Sequence, residues 1–131
     1  MHKGFLLTAT LLGALSVGLG AFGAHLLKNL LSAQALNTFE TAVRYQFYHV
    51  FALALTGILF KTYPHKFTRY AGIFFILGIV FFSGSLYLLT WLISNGNTTF
   101  NWIGAVTPLG GLLFILGWLF LAWGIRKSKT Q

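Results

Sequence analysis

The sequence predicts an all-α membrane protein, an antiparallel bundle of four transmembrane helices with both termini cytoplasmic. Three observations carry this. Of 131 residues, 56% are hydrophobic and only 8% charged, whereas roughly a quarter of the residues in a soluble domain are charged. The apolar residues fall into four runs: Phe5 to Leu27, Val43 to Phe60, Tyr70 to Ile93 and Ile103 to Ile125. The Lys and Arg residues stand at the ends of those runs.

About 20 helical residues, rising about 1.5 Å each, cross a hydrocarbon core of about 30 Å. Three runs meet that length directly, and the second meets it when a more polar turn extends it outward. Inside lipid a helix satisfies its own backbone hydrogen bonds within one segment. The expected spans are therefore residues 5–27, 40–60, 70–93 and 103–125. Little chain is left outside the bilayer, so residues 1–131 read as a single integral membrane domain. Ala21-Phe22-Gly23 offers a weak signal-peptide cleavage site. The length of the first run, and its continuation through Ala24-His25-Leu26-Leu27, favour a span instead.

Basic residues near span ends set orientation. Lys3, Lys61, Lys66, Arg69, Arg126, Lys127 and Lys129 share one side if there are four spans, against Lys28 and Arg44 on the other. This places both termini in the cytoplasm and the protein in the plasma membrane. The net charge of +8 is spread over span ends rather than gathered on one face, which excludes a nucleic-acid interface. With no cysteine present, disulfides, thiolate metal sites and Cys nucleophiles are excluded as well.

In the first connection, Asn37 and Glu40 have the spacing of a helix N-terminal cap, so the second helix is expected to start there. Glu40 and Arg44, spaced i, i+4, can pair as an interface anchor, on a face shared with Phe47 and Phe51 that looks toward lipid. The third connection runs from Ser94 to Asn101 between Trp91 and Trp102, two indoles suited to the membrane interface. Its Asn97-Thr98-Thr99 matches a glycosylation acceptor and is of use mainly as a topology reporter. In the fourth run, Thr107-Pro108 leaves two alternatives open. The helix begins at Pro108, or it begins near Trp102 and loses the hydrogen bond to the Gly104 carbonyl.

Lipid tails give helices no hydrophobic reason to associate, so small residues that permit close approach matter. Ala9, Gly13, Ser16, Gly20 and Ala24 form one arc of the first helix, opposite Leu11, Leu15, Leu19, Phe22 and Leu26. Gly110, Gly117 and Gly124 recur every seven residues in the fourth, a repeat that keeps one seam against a partner. On the second helix the angular count places Thr41, Ala42, Tyr45, Tyr48, His49, Ala52 and Thr56 on a stripe facing the bundle. Val43, Phe47, Val50, Phe51 and Ile58 fall on the other side. On the third helix Ser83, Tyr87 and Thr90 share a face, while Ser85 points elsewhere and back-bonds to its own helix.

Threaded through a bilayer, His25, Tyr45, Tyr48, His49, Ser83, Ser85, Tyr87 and Thr107 all fall toward the outer side. Polar groups in hydrocarbon are costly without partners, so the shared depth predicts one cluster, a candidate ligand-binding site.

Four segments also carry a resemblance. Gly20-Ala21-Phe22-Gly23-Ala24-His25, then Phe39 to His49 (FETAVRYQFYH), then Phe82-Ser83-Gly84-Ser85-Leu86-Tyr87, then Thr107-Pro108-Leu109-Gly110-Gly111, resemble the hallmark segments of the YgdD/YwdK-type family. This is a family of small bacterial inner-membrane proteins carried as a domain of unknown function. The resemblance covers nearly the whole chain in order and implies a four-span plasma-membrane protein. It supplies no activity, substrate or catalytic residue.

The cluster admits three readings. As interhelical fasteners, its hydrogen bonds hold the bundle in register, with self-association or partnership in a larger membrane complex as the working context. As the lining of an outward cavity, they bind or pass a small polar solute or lipid. As a cofactor site, His25 and His49 ligate a haem from two sides. No residue pattern supplies a zinc site, no catalytic residue is identified, and no cofactor is required. Ser83 would need a His and an orienting carboxylate, and Glu40 faces the wrong way.

Overall fold

Helices joined by short turns make up the computed structural model, which describes residues 1–97 and 101–128, the side chain of Asn101 excepted. They form four rods. In the first, α1 (Lys3–Phe22), a π-helical turn (Gly23–Leu27) and α2 (Lys28–Leu30) run on as one. The second is α3 (Ala33–Leu59). The third joins α4 (Lys66–Gly78), a second π-helical turn (Ile79–Ser83) and α5 (Gly84–Ser94), and the fourth is α6 (Asn101–Lys127).

Three rods are long and apolar enough to cross a membrane: Lys3–Leu30, Lys66–Ser94 and Trp102–Lys127. The second rod has the length, at 27 residues, but Glu40, Arg44, Gln46 and His49 lower its hydropathy.

Local chemistry explains where the rods begin. Ser32 has an extended backbone and its hydroxyl accepts a hydrogen bond from Ala35 N at 3.2 Å, the usual service of a serine N-cap. So α3 starts at Ala33. The cap expected at Asn37 is not used, because Asn37 already lies in the helix and its carbonyl accepts from Thr41 Oγ1 at 2.9 Å. Two histidines cap the other side of the molecule. His2 Nδ1 accepts from Phe5 N, and His65 Nδ1 from Phe67 N, each at 3.2 Å. His2 N also donates to the Gly57 carbonyl at 2.8 Å, which ties the start of the first rod to the end of the second. The fourth rod is helical from Asn101 straight through Pro108, which decides between the two alternatives for its start. The third connection lies partly beyond the described residues, as do Thr98 and Thr99 of the acceptor pattern and Lys129.

The rods pack antiparallel in chain order. Between the first two, Gly13 lies against Val50, Gly20 against Val43 and Gly57 against Leu6. Between the last two the seam of glycines is far tighter. A Cβ on Gly110 would stand 2.6 Å from Phe82 Cα, one on Gly117 2.7 Å from the Phe75 ring, and one on Gly124 2.7 Å from Thr68 N. These partners step by seven in opposite directions along the two rods, so the heptad of glycines is the register of the interface. Phe5, from the first rod, sits on Gly72 of the third. The core gathers Phe5, Leu53, Phe75, Ile79, Phe114 and Leu121. Leu11, Leu15, Phe22 and Leu26 face outward, as the first helix's apolar arc requires in lipid.

Candidate functional site

The polar residues do not collect as one cluster. They separate into a hydrogen-bonded layer, a groove and a few outward-facing side chains.

The layer centres on Gln46, 2% exposed at the middle of α3. Its Nε2 donates to Ser16 Oγ at 2.9 Å and to the Leu12 carbonyl at 3.4 Å. Ser16 Oγ in turn donates to Leu12 O at 2.7 Å. Tyr87 OH donates to Gln46 Oε1 at 2.9 Å. Ser83 Oγ donates to the Ala42 carbonyl at 2.8 Å, crossing from the third rod to the second. Three rods are thereby joined through one amide that offers both donors and an acceptor.

A second link joins the third and fourth rods. Ser85 Oγ and Thr107 Oγ1 lie 2.8 Å apart, and Ser85 Oγ also donates to Phe82 O at 2.9 Å. Since Ser85 has a single hydroxyl proton, Thr107 supplies the other. The predicted back-bond of Ser85 is present, and a contact between helices accompanies it. Thr56 and Thr90 satisfy themselves on the carbonyls four residues back. Among the described residues Thr68 Oγ1 is buried without a partner, pressed against Gly124.

The stripe expected on the second helix is rotated in the structure. Ala42, Gln46, His49, Ala52, Leu53 and Thr56 are buried, whereas Tyr45 is 38% and Tyr48 56% exposed. Val50, expected to face lipid, is also buried. The physical reason is Gln46: its amide needs partners more than two amphipathic tyrosines do, since these can keep an apolar ring in lipid with the hydroxyl elsewhere. Gln46 is the member of the layer that the angular count passes over, and that count gives Ser16 a place on the packing arc without a polar role. A glutamine in an apolar run is a signal in its own right, and Ser16 stands in the small-residue arc opposite it.

His25 lies on the first π-helical turn and is exposed. His49 belongs to the far side of the second rod, where its ring stacks on Phe114 of the fourth at 3.4 Å and 6°. The two imidazoles thus serve different surfaces, and the structure does not bring them together as a pair of axial ligands. Along the rods, His25, Ser83, Ser85, Tyr87 and Thr107 lie toward the ends that carry the first and third connections, while Tyr45 to His49 stand at the middle of the second rod, level with Gln46.

Glu40 and Arg44 are both exposed and line a shallow groove with Gly20, Gly23, Phe39 and Val43. Among the described residues, no hydrogen bond or ion pair joins these two side chains. Ser83 directs its hydroxyl to Ala42 O, away from any carboxylate. Trp91 and Trp102, the expected interface indoles, are exposed at 63% and 62%.

A larger groove, about 530 Å³, opens between the second and fourth rods with the third as its floor. Tyr45, His49, Phe82, Pro108, Phe114 and Trp118 line it. His49 Nδ1 bonds the Tyr45 carbonyl at 2.8 Å. A carbonyl only accepts, so Nδ1 carries the proton and Nε2 of the neutral ring is left as an acceptor. Among the described residues Nε2 has no partner.

Apolar helical rods with hydrogen bonds closed between them define a small integral membrane protein. The chain belongs to the DUF423 family, described as a protein of unknown function, whose profile matches residues 19–111. It is 45% identical to the UPF0382 membrane protein SSP2132 of Staphylococcus saprophyticus, over 95% of this chain and 98% of that one. It is 41% identical to a UPF0382 membrane protein of Haemophilus influenzae over 99% of both chains. With the UPF0382 membrane protein YwdK of Bacillus subtilis it shares 38% identity over 91% of this chain and 93% of that one. No solved structure matches. The resemblance read from the four segments is thus confirmed, and two of those segments overlap the π-helical turns, at residues 23–25 and 82–83.

Proposed function

We propose that this is a four-span plasma-membrane protein with both termini cytoplasmic, and that it acts as a structural or accessory component beside other membrane proteins. The observation that carries this reading is the closed state of the central layer. Gln46 uses both ends of its amide on Ser16, Leu12 and Tyr87, and Ser83 is held by Ala42 O. A solute pathway needs polar groups open to water, whereas these are engaged with one another. Hydrogen bonds between membrane helices contribute about 0.6 kcal/mol each, enough together to fix register without a ligand. With so little chain outside the rods, the working surface is the helix faces themselves.

The absence of cysteine makes the test clean. Single-cysteine variants at Ser16, Ser83, Lys61 and Asn95 are expressed in cells and treated with a membrane-impermeant thiol reagent. Asn95→Cys is expected to react from outside, Lys61→Cys only after permeabilisation, and Ser16→Cys and Ser83→Cys under neither condition. Labelling at Ser83→Cys from the outside overturns the closed layer in favour of an aqueous cavity. Labelling of Lys61→Cys in intact cells overturns the topology.

A further inference from the structure

The central layer is closed, but the groove between the second and fourth rods is not, and its chemistry selects an occupant. It lies at the level of Tyr45 to His49 and Pro108 to Trp118, near the middle of both rods and so, in the proposed topology, within hydrocarbon. Its volume, about 530 Å³, falls in the range of small-molecule sites, which join apolar and aromatic walls to a few placed polar groups.

Three features narrow the ligand. The lining has no charged residue, and a phosphate or ammonium headgroup drawn to this depth would be left uncompensated. The occupant is therefore neutral. His49 supplies an acceptor, Nε2, without a protein partner among the described residues, so the occupant carries an O–H or N–H donor. The ring of His49 is pinned by the Tyr45 carbonyl on one side and by Phe114 stacked at 3.4 Å, so the acceptor is held in place before anything binds. Finally, Tyr45, Phe82, Phe114 and Trp118 present aromatic faces and edges around it, the surroundings that favour a flat ring by offset or edge contacts.

We infer that this groove is a lateral binding site for a neutral hydroquinone-type membrane amphiphile, its ring hydroxyl donating to His49 Nε2 and its tail lying along the fourth rod toward lipid. Tyr45, half turned out of the bundle at 38% exposure, offers its hydroxyl as a second polar contact at the rim. The inference is one of binding and involves no electron transfer. It stands apart from the fastening role of Gln46, whose amide turns to Ser16, Leu12 and Tyr87 rather than to the groove.

The test uses the full chain in phosphatidylcholine nanodiscs, titrated with decylhydroquinone and with its dimethyl ether, which keeps ring and tail but has no donor. Binding is followed by tryptophan fluorescence and by thermal stabilisation. Decylhydroquinone is expected to saturate and to bind at least about tenfold more tightly than the ether, the worth of one buried hydrogen bond. His49→Phe keeps a flat ring against Phe114 and is expected to bind both compounds equally. Should that variant not fold, Gly111→Leu decides. A Cβ there meets only Phe82, at 3.8 Å, so the fold tolerates it while the added bulk fills the groove, and both compounds are expected to lose binding. Equal affinity of the wild type for the two compounds overturns the proposal, as does undiminished binding to Gly111→Leu. Displacement of the hydroquinone by phosphatidylglycerol at equal concentration also overturns it, in favour of a lipid-headgroup surface.

Discussion

The first two rods and the last two meet in different ways. Between the third and fourth rods contact is made by absence: Gly110, Gly117 and Gly124 let Phe82, Phe75 and Thr68 approach to where any Cβ would collide. Between the first and second, a Cβ on Gly13 would rest 3.5 Å from Val50 and one on Gly20 3.7 Å from Val43, which is ordinary contact. Those on Gly23 and Gly57 would press on side chains, the Phe39 ring at 2.8 Å and Leu6 at 3.0 Å. There Gln46 reaches Ser16 and Leu12 with hydrogen bonds. One interface is limited by backbone at Gly110 and Gly124, and the other joins side-chain contact to polar pairing. A small residue is therefore least replaceable where the partner's backbone, rather than a side chain, fills the space.

The contrast is put under most strain by Gly110→Ala. Its methyl would meet Phe82 N and Cα, backbone atoms that cannot swing aside, so the rods must part at a cost of about 3 kcal/mol or more. Unfolding in mixed micelles measures it. The control is Gly104→Ala on the same rod, where nothing among the described residues lies within 4 Å and no loss is expected. Gln46→Leu comes next, with an expected loss of about 2 kcal/mol, because the Tyr87 hydroxyl is left buried without its acceptor. Tyr87→Phe removes one donor and leaves Gln46 its other bonds, so about 0.6 kcal/mol is expected. Gly13→Ala should change stability by no more than about 0.5 kcal/mol in either direction. A large effect there would mean that the first interface is as tight as the second.

Much of this architecture is legible in the sequence, and the failures have physical causes. The apolar runs and the glycine heptad read directly into rods and their register, since both derive from helical repeat and length. The outward arc of Leu11, Leu15 and Phe22 is legible for the same reason. The orientation of α3 is not. Tyr45, Tyr48 and His49 outnumber Gln46, and an angular count weighs them equally, whereas an amide with no aromatic body has the stronger need for burial among partners. The π-helical turns at Gly23–Leu27 and Ile79–Ser83 are invisible in the sequence, because each inserts one residue into a turn and rotates the remainder of its rod without leaving a compositional mark. Ser32 lies outside the expected span, so the true start of α3 falls four residues ahead of Asn37. The groove cannot be read at all, since it is made by three rods whose separations appear only in the fold.

If Gln46 joins the first three rods through paired hydrogen bonds, its energy must be shared with Tyr87. A double-mutant cycle between Gln46→Leu and Tyr87→Phe, read as unfolding free energy in bicelles, measures that sharing. A coupling of about 1 kcal/mol is predicted, beyond the scatter of independent sites. Losses that simply add, within about 0.3 kcal/mol, would contradict the polar junction.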